Sequence, residues 1–473
     1  MATAPETGFT GPDLCRLSAR QAVDALKSGD VSPVELVEAS LARIEQTSPA
    51  INATVTLCAE RALEAAKAAD RDSPLAGLPI GIKDLTPVAG VRTTWGTPGL
   101  AEFVPKVSDP LVQRLEARGG VVMGKTNSPE MGAGANTFNP VFGATVNPWD
   151  ARMNAGGSSG GAAASLAVGE TWLSHGSDLG GSLRTPASFC GIVGLRPSPG
   201  IVPGGSDPFD TLPVQGPMAR DVADCALFLD VMAGSAPSAP LSSHAPAQSY
   251  LSACLAPAGD IRIAFSADLG GWAPVTSEME DILRTGLSAL TGEGVSLEDA
   301  RPPLRGAEAC FRTLRALGFW AGARQTPERI TRQYKPALKQ NIADGAALRP
   351  EDIADALITR TRLFTDMADF LSEFDVLACP VTGLPPLPQE IEYPTEVAGV
   401  PSRDYLSWLC FAFPATLCSL PALSLPLGFT QSGLPVGVQL IGKPRGEGRL
   451  LQIARALEAR IGFAQRPIDP IVR

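Results

Sequence analysis

Two glycine- and serine-rich clusters and one lysine have the types and spacing to do covalent chemistry. The first cluster is Gly156-Gly157-Ser158-Ser159-Gly160-Gly161, which runs straight into the small, helix-compatible stretch Ala162 to Val168. A flexible linker has the same composition, but linkers seldom lead directly into an apolar helix. The second cluster, Ser177-Asp178-Leu179-Gly180-Gly181-Ser182-Leu183-Arg184, places two glycines immediately before a serine. Glycines there allow a sharp turn with several backbone N–H groups pointing one way. That is what stabilises the oxyanion of acyl transfer, so Ser182 is the candidate nucleophile.

A serine nucleophile needs a base, and the chain has only two histidines, His175 and His244. His244 lies in an Ala/Ser/Pro-rich connection, a poor place for a rigidly held base. His175 lies in a strand-like run entering the turn, where alternation gives it no reason to reach Ser182. A Ser-His-Asp triad is therefore poorly supplied, and so few histidines exclude a histidine-rich metal site. Lysine remains, since burial lowers its pKa until the neutral amine is available. Lys83 ends Gly77-Leu78-Pro79-Ile80-Gly81-Ile82, the most apolar setting of any lysine here.

These residues need elements to hold them. Ser18 with Gln21, and Ser32-Pro33-Val34-Glu35, are capping boxes that open two N-terminal helices; Gly29 closes the first. Pro79 to Ile82, Gly120 to Met123, Ile261 to Phe265, Val376 to Cys379, Leu423 to Leu427 and Val436 to Ile441 read as strands. Leu111 to Arg118 reads as a helix. Strands alternating with helices predict an α/β fold, a mixed, mostly parallel sheet wrapped by helices. Ala233 to Gly259 reads as a surface connection, and residues 303–374 as arginine-containing solvated helices. Gly119 to Thr126 spells GxxxxGK[ST] but puts its β-branched run where a phosphate loop should be, so it is discarded as a nucleotide site.

Composition sets the outer bounds. Hydrophobic residues are 44% and charged ones 19% of 473, enough for a sizeable core and too little charge for disorder. A net charge of -10 argues against nucleic acid or anionic membrane as partner. No apolar run reaches the ~18 residues of a membrane span, and no signal peptide is legible. Nine scattered cysteines with no CxxC pair predict buried free thiols in a reducing cytoplasm.

With GLPIGIKD upstream, GGSSGG, then SDLGGSLRTPASFCGIVGLRPSPG, the chain resembles the amidase signature family of serine hydrolases. The serines are 24 residues apart and Lys83 precedes Ser158 by 75, the family spacing. GKTNSPE, TVNPW, GPMARDVAD, LPALSLPLGF and GLPVGVQLIG extend the likeness over nearly the whole chain, sparing roughly residues 303–410. The resemblance implies one amidase domain over 1–473, with a central mixed sheet of roughly ten strands covered by helices on both faces. The 303–410 region would be a variable, mostly helical cover of the substrate pocket.

The resemblance also implies roles. Ser182 would be the nucleophile, Ser158 the bridging serine on a cis Gly157–Ser158 peptide, and Lys83 the general base. Backbone N–H groups of Leu179, Gly180, Gly181 and Ser182 would form the oxyanion hole, braced by Asp178 and Arg184. Gly132, Ala133 and Gly134 would line the pocket, opposite a wall of Trp408, Phe411 and Phe413. The implied substrate is an uncharged, hydrophobic or aromatic amide, with carbamates (urethanes) and esters kept open. No metal, cofactor, nucleic acid or membrane span is expected, and the chain would be a cytoplasmic monomer or homodimer. One rival is the glutaminase subunit of a tRNA-dependent amidotransferase; such members carry D-x-F-T-x-P, and Leu409 here replaces the acid. The other is a non-catalytic binding protein of the same fold, which the complete serine–serine–lysine set disfavours.

Overall fold

In the computed structural model, residues 7–205, 207–462 and 466–472 are described. The N-terminal helices open as the sequence predicts. Ser18 and Gln21 form a reciprocal capping box on Ala19–Ser28, which ends at Gly29 in the left-handed conformation, φ 83°. Ser32 and Glu35 do the same on Pro33–Ile51.

Eleven strands make one sheet. In chain order they are β1 (Thr54–Leu57), β2 (Pro79–Lys83), β3 (Val121–Thr126), β4 (Leu173–Asp178), β5 (Val193–Arg196) and β6 (Val214–Ala219). The rest are β7 (Ile261–Phe265), β8 (Val295–Asp299), β9 (Val376–Pro380), β10 (Ala422–Phe429) and β11 (Pro435–Gly442). Across the sheet the order is β1-β3-β2-β4-β6-β5-β10-β11-β9-β7-β8. β2 runs parallel to both β3 and β4, and β7 parallel to β8 and β9. The remaining pairs are antiparallel. The sheet is therefore mixed as expected, but antiparallel pairs outnumber parallel ones, against the expectation of a mostly parallel sheet. The hairpin β10–β11 and the antiparallel run β4–β6–β5–β10, in which β6 returns between β4 and β5, account for the difference.

Alternation along the strands shows why both faces are covered. In β11, Val436, Val438 and Leu440 enter one core cluster, while Ile441 enters another. In β9, Val376 and Ala378 face the first and Leu377 and Cys379 the second. Since successive side chains point to opposite faces, each face must be buried against helices. Ala162 to Ala164, Leu166 and Ala167 of the helix after GGSSGG are packed in a third cluster with Leu183 and Ala187.

Residues 303–410 hold the helices Ala307–Gln325, Glu328–Thr331, Pro336–Ala346 and Pro350–Glu373, but also β9, a strand in the middle of the sheet's second half. The surface connection of 233–259 contains one short helix, Tyr250–Leu255. The misplaced phosphate-loop motif is a buried strand end: Lys125 Nζ donates to Thr86 O (2.7 Å) and Thr93 Oγ1 (2.9 Å) and lies 3.5 Å from Asp84. All nine cysteines are free thiols, eight of them buried. No described helix is long and apolar enough to cross a membrane.

Candidate active site

The parallel pairing of β2 with β4 brings the candidate residues together. Both strands end at the same edge, so Lys83, the last residue of β2, faces Ser177 near the end of β4. Into this corner comes the start of the helix Gly160–Ala167, preceded by a cis peptide at Gly157–Ser158. Lys83 Nζ donates to Ser158 Oγ at 2.7 Å, Ser159 Oγ at 2.8 Å and Ser177 Oγ at 3.1 Å. Lys83 has no solvent exposure. Burial pushes its pKa down from 10.5 to about 7, against a smaller opposing pull from Asp178. At neutral pH, then, an appreciable fraction of this amine is unprotonated and able to take a proton from Ser158.

Ser182 sits on the turn between β4 and the helix Arg184–Cys190, and is partly exposed, as are Leu179 and Gly180. Its carbonyl accepts from the Ser159 N–H at 3.2 Å, tying the two serine clusters together. Gly181 has φ 98°, a left-handed conformation that favours glycine, and a Cβ there would lie 3.0 Å from Thr185 Oγ1. The turn is braced by Asp178. Its carboxylate accepts from Arg184 Nη2 (2.7 Å) and Nε (3.1 Å), from Arg196 Nη1 (3.3 Å), and from the N–H of Leu183 (3.0 Å). Burial opposes ionisation of Asp178, but Arg184 and then Arg196 outweigh it and hold the pKa well below the usual carboxylate range.

One of the four N–H groups expected in the oxyanion hole is committed elsewhere. The Gly181 N–H donates to Asp178 Oδ1 at 3.2 Å. Those of Leu179, Gly180 and Ser182 have no partner among the described residues and are free to meet a ligand oxygen.

Gly132 stands against the serines: a Cβ built on it would be 3.6 Å from Ser158 Oγ. Gly134 lies near Lys335 and Pro129, with Ala133 buried among Ile330, Tyr334 and Leu338. The three aromatics are core residues: Phe411 and Phe413 have no exposure and Trp408 has 3%. Phe413 stacks on Phe311 at 3.8 Å, and it is Phe311, with Leu409, that approaches Gly180.

One histidine packs beside the lysine strand and the other lies at the surface. His175 Nδ1 accepts from the Lys83 backbone N–H at 3.4 Å and its Nε2 faces Gln215 Oε1 at 2.6 Å. Burial lowers its pKa to about 3, so the ring stays neutral at working pH. His244 is exposed. Among the described residues, no group of three or more His, Cys, Asp or Glu could hold a metal. Sequence reasoning did not single out Ser159, Ser177, Arg196 or Gln439. All four lay inside quoted motifs without being given a role; Gln439, within GLPVGVQLIG on β11, accepts from Arg184 Nη1 at 2.5 Å and donates to Phe411 O at 2.8 Å.

A mixed sheet thus presents a buried lysine to clustered serines beside a glycine-rich turn. Residues 35–451 match the Amidase family model, and the chain belongs to that family. It is an amidase-signature hydrolase. A glutamyl-tRNA(Gln) amidotransferase subunit from Moorella thermoacetica is 36% identical over 96% of this chain and 98% of the relative. An acylamidase of Rhodococcus erythropolis is 32% identical over 98% of this chain and 100% of its own. Among solved structures, a bacterial aryl acylamidase of the amidase signature family superimposes with a TM-score of 0.88 at 28% identity, covering 95% of this chain and 97% of that one.

Proposed function

We propose that this chain, acting as one catalytic unit, hydrolyses hydrophobic or aromatic amides through an acyl-enzyme on Ser182. The observation that carries the reading is the Lys83 amine, wholly buried, shifted to about 7 and 2.7 Å from Ser158 Oγ. Neutral Lys83 takes the Ser158 proton while Ser158 takes that of Ser182. The Ser182 oxygen attacks the carbonyl, whose developing negative charge meets the N–H groups of Leu179, Gly180 and Ser182. The relay then reverses, and Ser158 protonates the departing nitrogen, without which an amide leaves poorly. Water, deprotonated through the same relay, releases the acid. Phe311, from the helical segment, supports a role for residues 303–410 as pocket cover, since it reaches Gly180.

The amidotransferase relatives favour a second reading, glutamine hydrolysis, on overall identity. Against it stands Leu409. The site where such members would place an acid for glutamine's ammonium is here an apolar side chain, whose Cδ1 lies 4.0 Å from a Cβ built on Gly180.

The test is a panel of anilides, primary aliphatic amides, esters, carbamates and free glutamine, assayed on wild type and on Ser182→Ala. Turnover of anilides or aliphatic amides with glutamine left intact is expected. Glutamine as the best substrate would sink the reading, and so would anilide turnover that persists in Ser182→Ala.

A further inference from the structure

The helix Ala307–Gln325 carries Phe311, Arg315 and Phe319 at four-residue spacing, hence on one face. Phe311 marks one end of this face: its Cζ would lie 3.7 Å from a Cβ on Gly180 of the oxyanion turn. Phe319 marks the other, packed against the cluster of Ala133, Ile330, Tyr334 and Leu338, on which Met131 also packs. Gly132, between Met131 and Ala133, is the residue that abuts Ser158. Arg315 is thus held midway between the two segments that flank the catalytic serines.

Arg315 is 5% exposed, and its hydrogen-bond and ring partners are neutral. Its guanidinium donates to the Tyr405 hydroxyl and to Asn341 Oδ1. It lies over the rings of Phe319, at 4.1 Å, and Tyr405, at 5.2 Å. Among the described residues no carboxylate comes within 4.0 Å of it. The acid beside Tyr405 in sequence, Asp404, is engaged by Arg312 at 2.6 Å and Arg403 at 3.8 Å. A buried cation whose direct partners are all neutral, with Asp404 acting on it only from longer range, is a costly arrangement that a protein seldom keeps without use. A guanidinium held by neutral groups retains its preference for a planar carboxylate.

We infer that Arg315 is the distal anchor of the substrate pocket and binds a carboxylate borne on the far end of an apolar or aromatic amide. The inference rests on the amidase reading above and narrows it. Beside the scissile bond the lining is Phe311 and Leu409, so the substrate is apolar there, while its far end carries the charge.

The test measures binding by calorimetry in the Ser182→Ala background, which separates recognition from turnover. The probes are two acid–ester pairs: adipic acid monoanilide with its methyl ester, and 4-acetamidobenzoate with its methyl ester. In at least one pair the acid should bind about tenfold or more tightly than the ester, the usual scale for a charge-assisted pair. Adding Arg315→Met should abolish that ratio while ester binding stays within about threefold. Arg315→Lys, which keeps the charge and loses the fork, should retain only part of it, and decides the matter if Arg315→Met fails to fold. Esters binding as well as acids in both pairs, Arg315→Met weakening acid and ester alike, or glutamine binding tighter than either acid would each overturn the inference. Wild-type turnover of neutral anilides checks the underlying amidase reading separately.

Discussion

At Lys83 and Asp178 the same burial has opposite outcomes, because their neighbours differ. Lys83 is surrounded by hydroxyls, which do not repay the loss of hydration, so the ammonium form is disfavoured and the pKa falls to about 7. Asp178 is met by two arginines and stays ionised. One group is thus set to exchange a proton and the other to hold still. The division between the two serines follows. Ser182→Ala should lose essentially all activity, because no acyl-enzyme can form. Ser158→Ala should keep a trace, since water can partly stand in for a bridging hydroxyl. Steady-state assays with matched active-site titration would check this; equal residual rates would reject the order of roles. Lys83 and Ser182 were legible as candidates in the sequence, because Lys83 follows an apolar run and Ser182 follows glycines, while the role of Ser158 came from the family resemblance. Gln439 was not legible, because β11 reads as a buried apolar strand and nothing local marks one glutamine in it as a ligand of Arg184.

The elements explain why glycine recurs around Ser158. The helix Gly160–Ala167 must bring its first turn against β3 and the segment after it, and a Cβ on Gly161 would lie 2.2 Å from the Asn127 nitrogen and 2.7 Å from Ala53 O. Backbone cannot give way there as a side chain can. Gly161→Ala should therefore destabilise the protein by about 1–3 kcal/mol, the cost of overpacking a well-filled interior. It should also displace Ser158 from Lys83, lowering kcat more than it raises KM. Urea denaturation with parallel kinetics tests both parts, and an unchanged midpoint would contradict the close approach. The capped N-terminal helices and the apolar strands were readable because local chemistry decides them. The antiparallel run β4–β6–β5 was harder. β4, Leu-Ser-His-Gly-Ser-Asp, is polar because it carries the site, and β5 has only four residues. Tertiary pairing, not periodicity, makes them strands.

Over the whole molecule, β1 near the start and β11 near the end lie in one sheet, while the reacting corner is assembled from β2, β4 and the helix after GGSSGG. His175 touches that corner only through the Lys83 backbone N–H, from which its Nδ1 accepts at 3.4 Å, and the central claim is that Lys83 supplies the base. The decisive measurement is kcat/KM against pH for an amide and its matched ester, in wild type, Lys83→Ala, His175→Ala and His244→Ala. Below pH 7 the Lys83 amine is protonated and cannot accept from Ser158. The wild-type amide rate should therefore fall about tenfold per unit on the acid side of a pKa near 7 and level off above it. Both histidine variants should keep that limb, as His175 is neutral far below this range. Lys83→Ala should lose the limb and several orders of magnitude on the amide, with a smaller loss on the ester, whose leaving group needs no proton. An acidic limb that vanishes with either histidine, or a Lys83→Ala enzyme that still cleaves the amide well, would contradict the account.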